Sequence, residues 1–487
     1  MLFKRNILEV NIEYAVSGNG DNVIGAKTSS TCTSTHSSGQ MTRSALSKPQ
    51  ASSSAKPFCS IFQDCFFKEF QSSKIVLYVC IDLKHKDMEL NPDVLYRNSH
   101  RLVSQVSLDF KREIYDHINW RPRIIGIKGP KGVGKSTLLK QHIKESFTDD
   151  SKILYASLDH IWFNGHSLDD LVEYHYIHGG THLFLDEVHK YKNWEWGIKN
   201  IYDNYPTMNV VFTGSSMLQI GEGNVDLSRR TSMNTVHGMS FREYLAFEGI
   251  MSWEKVSLED ILTHHVEIAT EITDKIHVIN YFDDYLKHGY YPFYMEDPEG
   301  FNDRLAEVCR QVIEQDIPAV TEVEYATIQK LKKLLYIIAA QVPFIPNMEE
   351  IYNQLETNRE QGLKLMDLLE RAALIGQLKT KPKSVKKLSS PDKLFLDNPN
   401  LMYALSGNPE IGTIRESFFY NQLSRVCNVY YPSKGDFLVD EKYLFEVGGP
   451  GKSFEQIKDI DNSFLAIDGV EFGRGNKIPL WLFGFLY

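Results

Sequence analysis

No apolar run in this sequence approaches the roughly eighteen residues a helix needs to cross a bilayer, which excludes a helical membrane span. Cysteine is scarce as well. Six are scattered over 487 residues without a C-x-x-C spacing, a pattern that supports neither a zinc site nor a disulfide framework and fits a reducing compartment such as the cytoplasm. Positive charge is in deficit: 53 Lys and Arg against 63 Asp and Glu leave a formal charge of −10. That balance argues against a surface that binds nucleic acid everywhere, although a local basic patch survives inside it. His264, His265, His277 and His288 do not repeat at ligand spacing, so they are expected in the core or on the surface rather than on a metal. What remains is ordinary globular composition, and the length calls for two or three domains.

The first 87 residues differ from the rest. From Thr28 to Lys56 the chain is Ser- and Thr-rich without one acidic residue, and it carries too few apolar side chains to offset the entropy of ordering. A basic, Ser-rich start suggests a targeting segment, but Glu9, Glu13 and Asp21 fit a transit peptide poorly. The expectation is an ordered protein from near Met88, preceded by a disordered segment or an upstream extension of the reading frame.

The strongest motif is Gly129-Pro130-Lys131-Gly132-Val133-Gly134-Lys135-Ser136, a full G-x-x-x-x-G-K-[ST] phosphate-binding loop. A chance match is expected in roughly one chain of this size in fifty. The flanks narrow that further, because Ile124, Ile125 and Ile127 read as a buried strand and Leu139, Ile143 and Phe147 recur four apart as in an amphipathic helix. Glycines let successive backbone N–H groups turn into one concavity at a helix N-terminus, which suits phosphate. In this loop Lys135 is expected on the β- and γ-phosphates of ATP and Ser136 on Mg²⁺, with Thr137 in the first helical turn.

Further on, Leu108 to Ile118 reads as a short amphipathic helix, and Lys152 to Leu158 as a strand. Ser167 to Asp170 reads as a capping box for a helix through Tyr176. His182 to Glu187 is an apolar strand ending in two acids. A buried parallel strand delivers such carboxylates to the edge of the sheet where ligands bind, so Asp186 is expected to hold Mg²⁺ and Glu187 to polarise the attacking water. A helix over Asn193 to Tyr205 and a strand over Asn209 to Thr213 follow, with Ser215 placed where it can sense the γ-phosphate.

The runs LFLDEVHKYKNWEWGIKNIYDNYP and VVFTGSS, the segment Asp226 to Arg230 and the motif Gly238-Met-Ser-Phe-Arg-Glu-Tyr-Leu245 resemble the AAA-type ATPases of bacteria and archaea that carry a C-terminal domain of unknown function. The resemblance covers roughly Met88 to Tyr487. It implies the phosphate loop, an acidic strand, a sensor, and an arginine finger at Arg230 for the chain's own site or a neighbour's; Arg229 stands where many members have glycine.

Asp260 to Ala319 reads as helical and rich in aromatics, among them Tyr285, Tyr290 and Tyr291, the last followed by Pro292. Helices over Ile328–Ala340, Met348–Leu355 and Gly362–Leu374 before a hairpin at Ile375–Leu405 suggest a winged helix. Its groove-facing helix has no excess positive charge, whereas Lys379, Lys381, Lys383, Lys386, Lys387 and Lys393 form a basic run in the wing. From Thr413 the pattern is helix, strand, hairpin, helix, strand. Asp436 and Glu446, with Glu416 as a third ligand, are arranged as in PD-(D/E)xK nucleases, but Gly448 occupies the place of the lysine that activates water, and Lys452 lies beyond a Gly449-Pro450-Gly451 turn. A nuclease-like fold without catalysis is therefore expected.

The sequence thus predicts an α/β chain: an extension over 1–87, a P-loop NTPase domain with a parallel sheet over 88–250, a helical and winged-helix region over 251–405, and a small α/β nuclease-like domain over 406–487. Its expected activity is Mg²⁺-dependent ATP hydrolysis as a switch or remodeller, with a protein or nucleic-acid partner and homo-oligomers open. An ATP-regulated nuclease and a nucleotide-gated binding module are the alternatives.

Overall fold

A computed structural model describes residues 12–16, 22–26, 92–217, 227–340, 345–381 and 390–487. The expected disorder of Thr28 to Lys56 lies outside the described residues. Near the start, Ile12–Val16 and Asn22–Ala26 pair as an antiparallel hairpin. Residues from Pro92 to Tyr487 form a separate compact unit.

That unit is built on five parallel strands: β1 (Ile124–Gly129), β2 (Ile153–Ser157), β3 (His182–Asp186), β4 (Asn209–Ser215) and β5 (Ser232–Thr235). Their spatial order is β2-β3-β4-β1-β5. All neighbours run parallel, so both faces must be covered. Alternation sorts the side chains accordingly. Ile125, Ile127, Tyr155, Phe184 and Val211 face one core, while Ile124, Leu154, Leu183, Leu185 and Phe212 face the other. The first of these cores does not stop at the sheet. It runs on through Tyr285, Leu305, Leu334, Phe395, Phe418 and Phe483, across residues 250 and 405, where domain boundaries were expected.

Helix α1 (Asp93–Gln105), not anticipated, precedes the sheet. The expected helix at Leu108 to Ile118 is reduced to the single turn Ile114–His117. The reason is local: Gln141 Nε2 donates to the carbonyls of Ser107 and Phe110, and Ser107 Oγ takes the Asp109 N–H, so side chains satisfy backbone groups that a helix would pair internally. The other helices match their signals. Helix α2 (Lys135–Ser146) follows the loop, α3 (Leu168–Ile177) starts with the full Ser167–Asp170 capping box, and α4 (Trp194–Asn204) buries Trp194, Ile198 and Ile201.

A helical region follows. It holds α5 (Phe241–Phe247), α6 (Leu258–Thr273), α7 (Phe301–Gln311) with a π-helical extension Val312–Asp316, then α8 (Tyr325–Ala340), α9 (Met348–Gln354) and α10 (Arg359–Arg371). The antiparallel pair β6 (Ile375–Leu378) and β7 (Lys393–Leu396) comes next. The strand pairing ends at Leu396, not Leu405. Asn398 caps and Pro399 opens a helix, α11 (Pro399–Ser406), a start signal that the sequence carries in plain view.

The last part packs α12 (Ile411–Leu423) on a mixed sheet in the order β8 (Val429–Tyr430), β9 (Phe437–Val439), β10 (Tyr443–Gly448), β11 (Ser463–Ile467), β12 (Lys477–Pro479). The helix expected between β10 and β11 is replaced by turns. Among the described residues, no helix is long and apolar enough to cross a membrane.

Candidate nucleotide site

Strand β4 lies between the phosphate-loop strand and the acidic strand. Its register sets Ser215 beside Gly129 and Phe212 beside Leu185, so the ends of all three strands meet at one edge. The loop bends there because Gly132 and Gly134 take φ of +86° and +94°, the left-handed region that favours glycine. Gly129 is needed for a different reason: a Cβ there would stand 2.1 Å from the Val236 carbonyl oxygen.

Lys135, buried at the start of α2, donates from Nζ to the carbonyls of Gly129 and Pro130, each at 2.9 Å. Among the described residues its ammonium is in ion-pair contact with no carboxylate. Burial lowers its pKa, and the charges of Glu187, Asp186 and Asp316 oppose that fall. Such a buried cation, held only by its own loop, is prepared for an anionic ligand.

Asp186 is clamped on both oxygens. Tyr155 donates to Oδ2 at 2.6 Å, and Thr213 Oγ1 donates to Oδ1. Burial and the Asp186 charge push the Tyr155 phenol well above its ordinary value, so it stays a donor. Glu187 then turns out of the strand at φ +53°, with its N–H on Thr213 Oγ1 at 3.1 Å. Strain of this kind, about 1–3 kcal/mol, persists where the surroundings over-determine the backbone. Lys135, Ser136, Thr137 and Glu187 line one cleft of about 530 Å³, and Phe293 and Glu296 of the helical region line it too. The Phe293 ring lies over Gly132, where a Cβ would meet it at 2.7 Å. Lys131 donates to Gln311 Oε1 of α7, a second tie between loop and helical region.

The structure also brings in residues that the motif reading missed. Arg112, buried in the irregular segment before the sheet, makes a bidentate pair with Glu243 at 2.9 Å on both arms and donates to the Val133 carbonyl of the loop at 2.7 Å. It also donates to the carbonyls of His237 and Gly238. Glu243 meanwhile closes a capping box with Ser240, which explains the Ser-x-x-Glu of the Gly238 to Leu245 motif. That motif was the one available signal; its partner Arg112 carried none.

Arg230 is not brought to the phosphate loop of its own chain. It precedes β5, whose Ser232 pairs with Ile125 at the edge opposite Gly129, and it reaches Asp203 at 3.5 Å and the Tyr202 ring. An arginine finger in the same subunit is thereby corrected: the parallel register of β5 fixes Arg230 at the wrong end of the sheet. Asp226 lies outside the described residues.

Of the wing lysines, Lys383, Lys386 and Lys387 lie outside the described residues. Lys381 pairs with Glu441, and Lys393 is buried against Glu416 at 2.5 Å, so these two are engaged within the fold. In the C-terminal sheet, Asp436 Oδ2 accepts the Val447 N–H at 2.9 Å, and Lys452 Nζ meets the buried Glu446 at 2.9 Å. The Lys452 stem fills the space over Gly448, where a Cβ would stand 2.7 Å from its Cγ. Among the described residues no three His, Cys, Asp or Glu side chains are placed to hold a metal ion by themselves.

Residues 121–245 match the family model of an AAA domain, and residues 279–411 match that of a domain of unknown function, DUF8612. The uncharacterized protein MJ1637 of Methanocaldococcus jannaschii is 27% identical over 418 residues, covering 77% of this chain and 88% of that one. Solved structures that match include a DNA replication initiation factor at 10% identity, covering 57% of this chain and 94% of that chain. AMPPCP-bound DnaA from Aquifex aeolicus matches at 12% identity, covering 57% of this chain and 88% of that chain. Both have a TM-score of 0.20. On that sheet and the matched segment, the chain carries an AAA-type P-loop domain followed by a region similar to a domain of unknown function.

Proposed function

We propose that this protein binds ATP with Mg²⁺ in the cleft over the phosphate loop and hydrolyses it, using the cycle as a nucleotide-driven switch. The observation that carries this is the pairing within one cleft of Lys135, a buried cation held by carbonyls, with Glu187, an acid turned out of its strand. The loop Gly129 to Thr137, through the N–H groups that follow Pro130, and the Lys135 ammonium would take the phosphates. Ser136 would hold Mg²⁺ through its hydroxyl and Asp186 through the ion's water shell, a donor set that suits a cation that keeps several waters beside substrate phosphates. Mg²⁺ would supply charge neutralisation on the phosphate oxygens. Glu187 would take the proton of the attacking water, and Ser215, beside Gly129, would read the γ-phosphate. A part for Arg230 is left to a neighbouring copy's site.

We read residues 88–250 as the motor, 251–405 as a helical region of winged-helix type and 406–487 as a nuclease-like part without catalysis. Release of contacts to the γ-phosphate would act on the helical region through Phe293 and Lys131, and so on a protein or nucleic-acid partner. Glu187→Gln tests the assignment: ATP binding should stay and turnover should fall by about 10²–10⁴. Hydrolysis at the parent rate would remove Glu187 from its role. In ATP the same variant should hold whatever partner the switch engages.

A further inference from the structure

His189 lies two residues beyond Glu187, in a short turn of 3₁₀ helix, with its side chain fully buried. Its Nδ1 accepts the backbone N–H of Ser215 at 3.3 Å, at the end of the strand beside the phosphate loop. That bond assigns the ring proton to Nε2. Nε2 lies 3.4 Å from Glu187 Oε2 and 3.5 Å from Asp316 Oδ1, yet it makes a well-aligned hydrogen bond with neither. A buried donor left between two carboxylates asks for a reason, since an unmade hydrogen bond in the interior is costly.

Asp316 comes from the π-helical extension of α7, some 70 residues beyond the segment that matches the AAA domain. It is buried and takes Lys190 Nζ on the same oxygen at 2.5 Å. Burial pushes its carboxyl up, but the close approach of the His189 ring and of the Lys190 ammonium outweighs that and brings it down to about 2. Its charge is also felt by Lys135. Lys190 therefore answers Asp316, and the Nε2 proton remains available to Glu187.

We infer that His189 and Asp316 are positioning residues for hydrolysis: the Asp316 charge, supplied by the helical region 3.5 Å from Nε2, favours the Nε2–H tautomer and steadies the His189 ring, while the single Nε2 proton is directed to the Glu187 carboxylate and holds it in its water-facing pose. The ATPase centre is thus completed by a residue outside the AAA-matching segment, and a shift of the helical region reaches Glu187 through one imidazole. The inference rests on Glu187 being the water-polarising acid.

The test is ATP titration and steady-state hydrolysis by the full chain with His189→Ala, Asp316→Asn, the two combined, and His189→Gln, beside Glu187→Gln and with thermal midpoints recorded. Both single variants should lower kcat by about 10- to 100-fold, the usual range for groups that orient a reacting residue. ATP affinity should stay within about twofold, the pattern of an interaction used only in the transition state. His189→Gln, whose carboxamide can present an N–H near the Nε2 position, should recover part of the loss, and the double variant should be no slower than the slower single one. Parent-like kcat in both single variants with Glu187→Gln inactive would overturn the inference and leave the ATPase reading standing. So would a rise in kcat, or a loss that tracks affinity and thermal midpoint and that His189→Gln does not relieve. Parent-rate hydrolysis by Glu187→Gln would take down the ATPase reading itself. Asp316→Asn is isosteric, so it decides the question if His189→Ala does not fold.

Discussion

At the phosphate loop, Lys135 is held by two backbone carbonyls and Asp186 by two neutral hydroxyls; in the C-terminal sheet, Lys452 is held by Glu446, and Lys393 by Glu416. Both places gather acids and a lysine at buried strands. In the first, neither charge is paired with an opposite one, which is what the proposed binding of a phosphate together with a cation would use. In the second, the fold neutralises its own charges. Residue type and burial alone would rank the two sites together; what separates them is which group compensates which.

The sharpest way to break this contrast is Lys135→Ala. Each charge-assisted bond to a phosphate is worth about 1.5–3 kcal/mol, so loss of two or more should weaken ATP binding by at least about a hundredfold. Titration calorimetry with near-parent affinity would show that Lys135 is not a phosphate ligand.

Next in size is the frame that holds the loop. Arg112→Ala would leave Glu243, 4% exposed, without its guanidinium and the Val133 carbonyl without its donor. Breaking a buried pair of this kind costs about 3–5 kcal/mol, which should appear as a clear fall in thermal midpoint and weaker nucleotide binding. An unchanged midpoint would mean that the pair is dispensable to the loop.

How far the site could be read ahead of the structure follows from these two residues. Lys135 is legible because its motif, its strand and its helix are contiguous, and local chemistry decides all three. Asp186 and Glu187 are legible through strand periodicity. Arg112 and Asp316 are not, since their partners lie 131 and 126 residues away and nothing in their neighbourhood marks them as buried. Arg112 reads as helical in sequence because Phe110, Ile114 and Ile118 recur four apart, while Gln141 in fact ties that segment down as a loop. A finger role for Arg230 in its own chain fails for the same reason: its place depends on the register of β5, which sequence does not reveal.

A smaller effect should come from Thr213→Val, which keeps the shape but removes the donor to Asp186 and the acceptor for the Glu187 N–H. The expected outcome is a kcat lower by about 10- to 100-fold with ATP affinity little changed. A loss confined to affinity would instead place Thr213 on the nucleotide.

The smallest expected effect is at the C-terminal sheet, where the prediction is no effect at all. Lys452 has its stem over Gly448 and its Nζ on Glu446, so it stands in the space a lysine at 448 would occupy. Its ammonium is engaged with Glu446, and Lys393 is engaged with Glu416. Charge stabilisation in phosphoryl transfer commonly contributes a hundredfold or more, and it needs groups aimed at the developing charge rather than at each other. To bind a cation here, Glu446 and Glu416 would first have to give up two ion pairs. Purified protein should therefore not cleave single- or double-stranded DNA or RNA with Mg²⁺ or Mn²⁺, with or without ATP. Nicking that disappears in both Asp436→Ala and Lys452→Ala while surviving Lys135→Ala would reverse the contrast: Lys452 would then leave Glu446 when substrate arrives, and the second site would be an active nuclease rather than a closed pair.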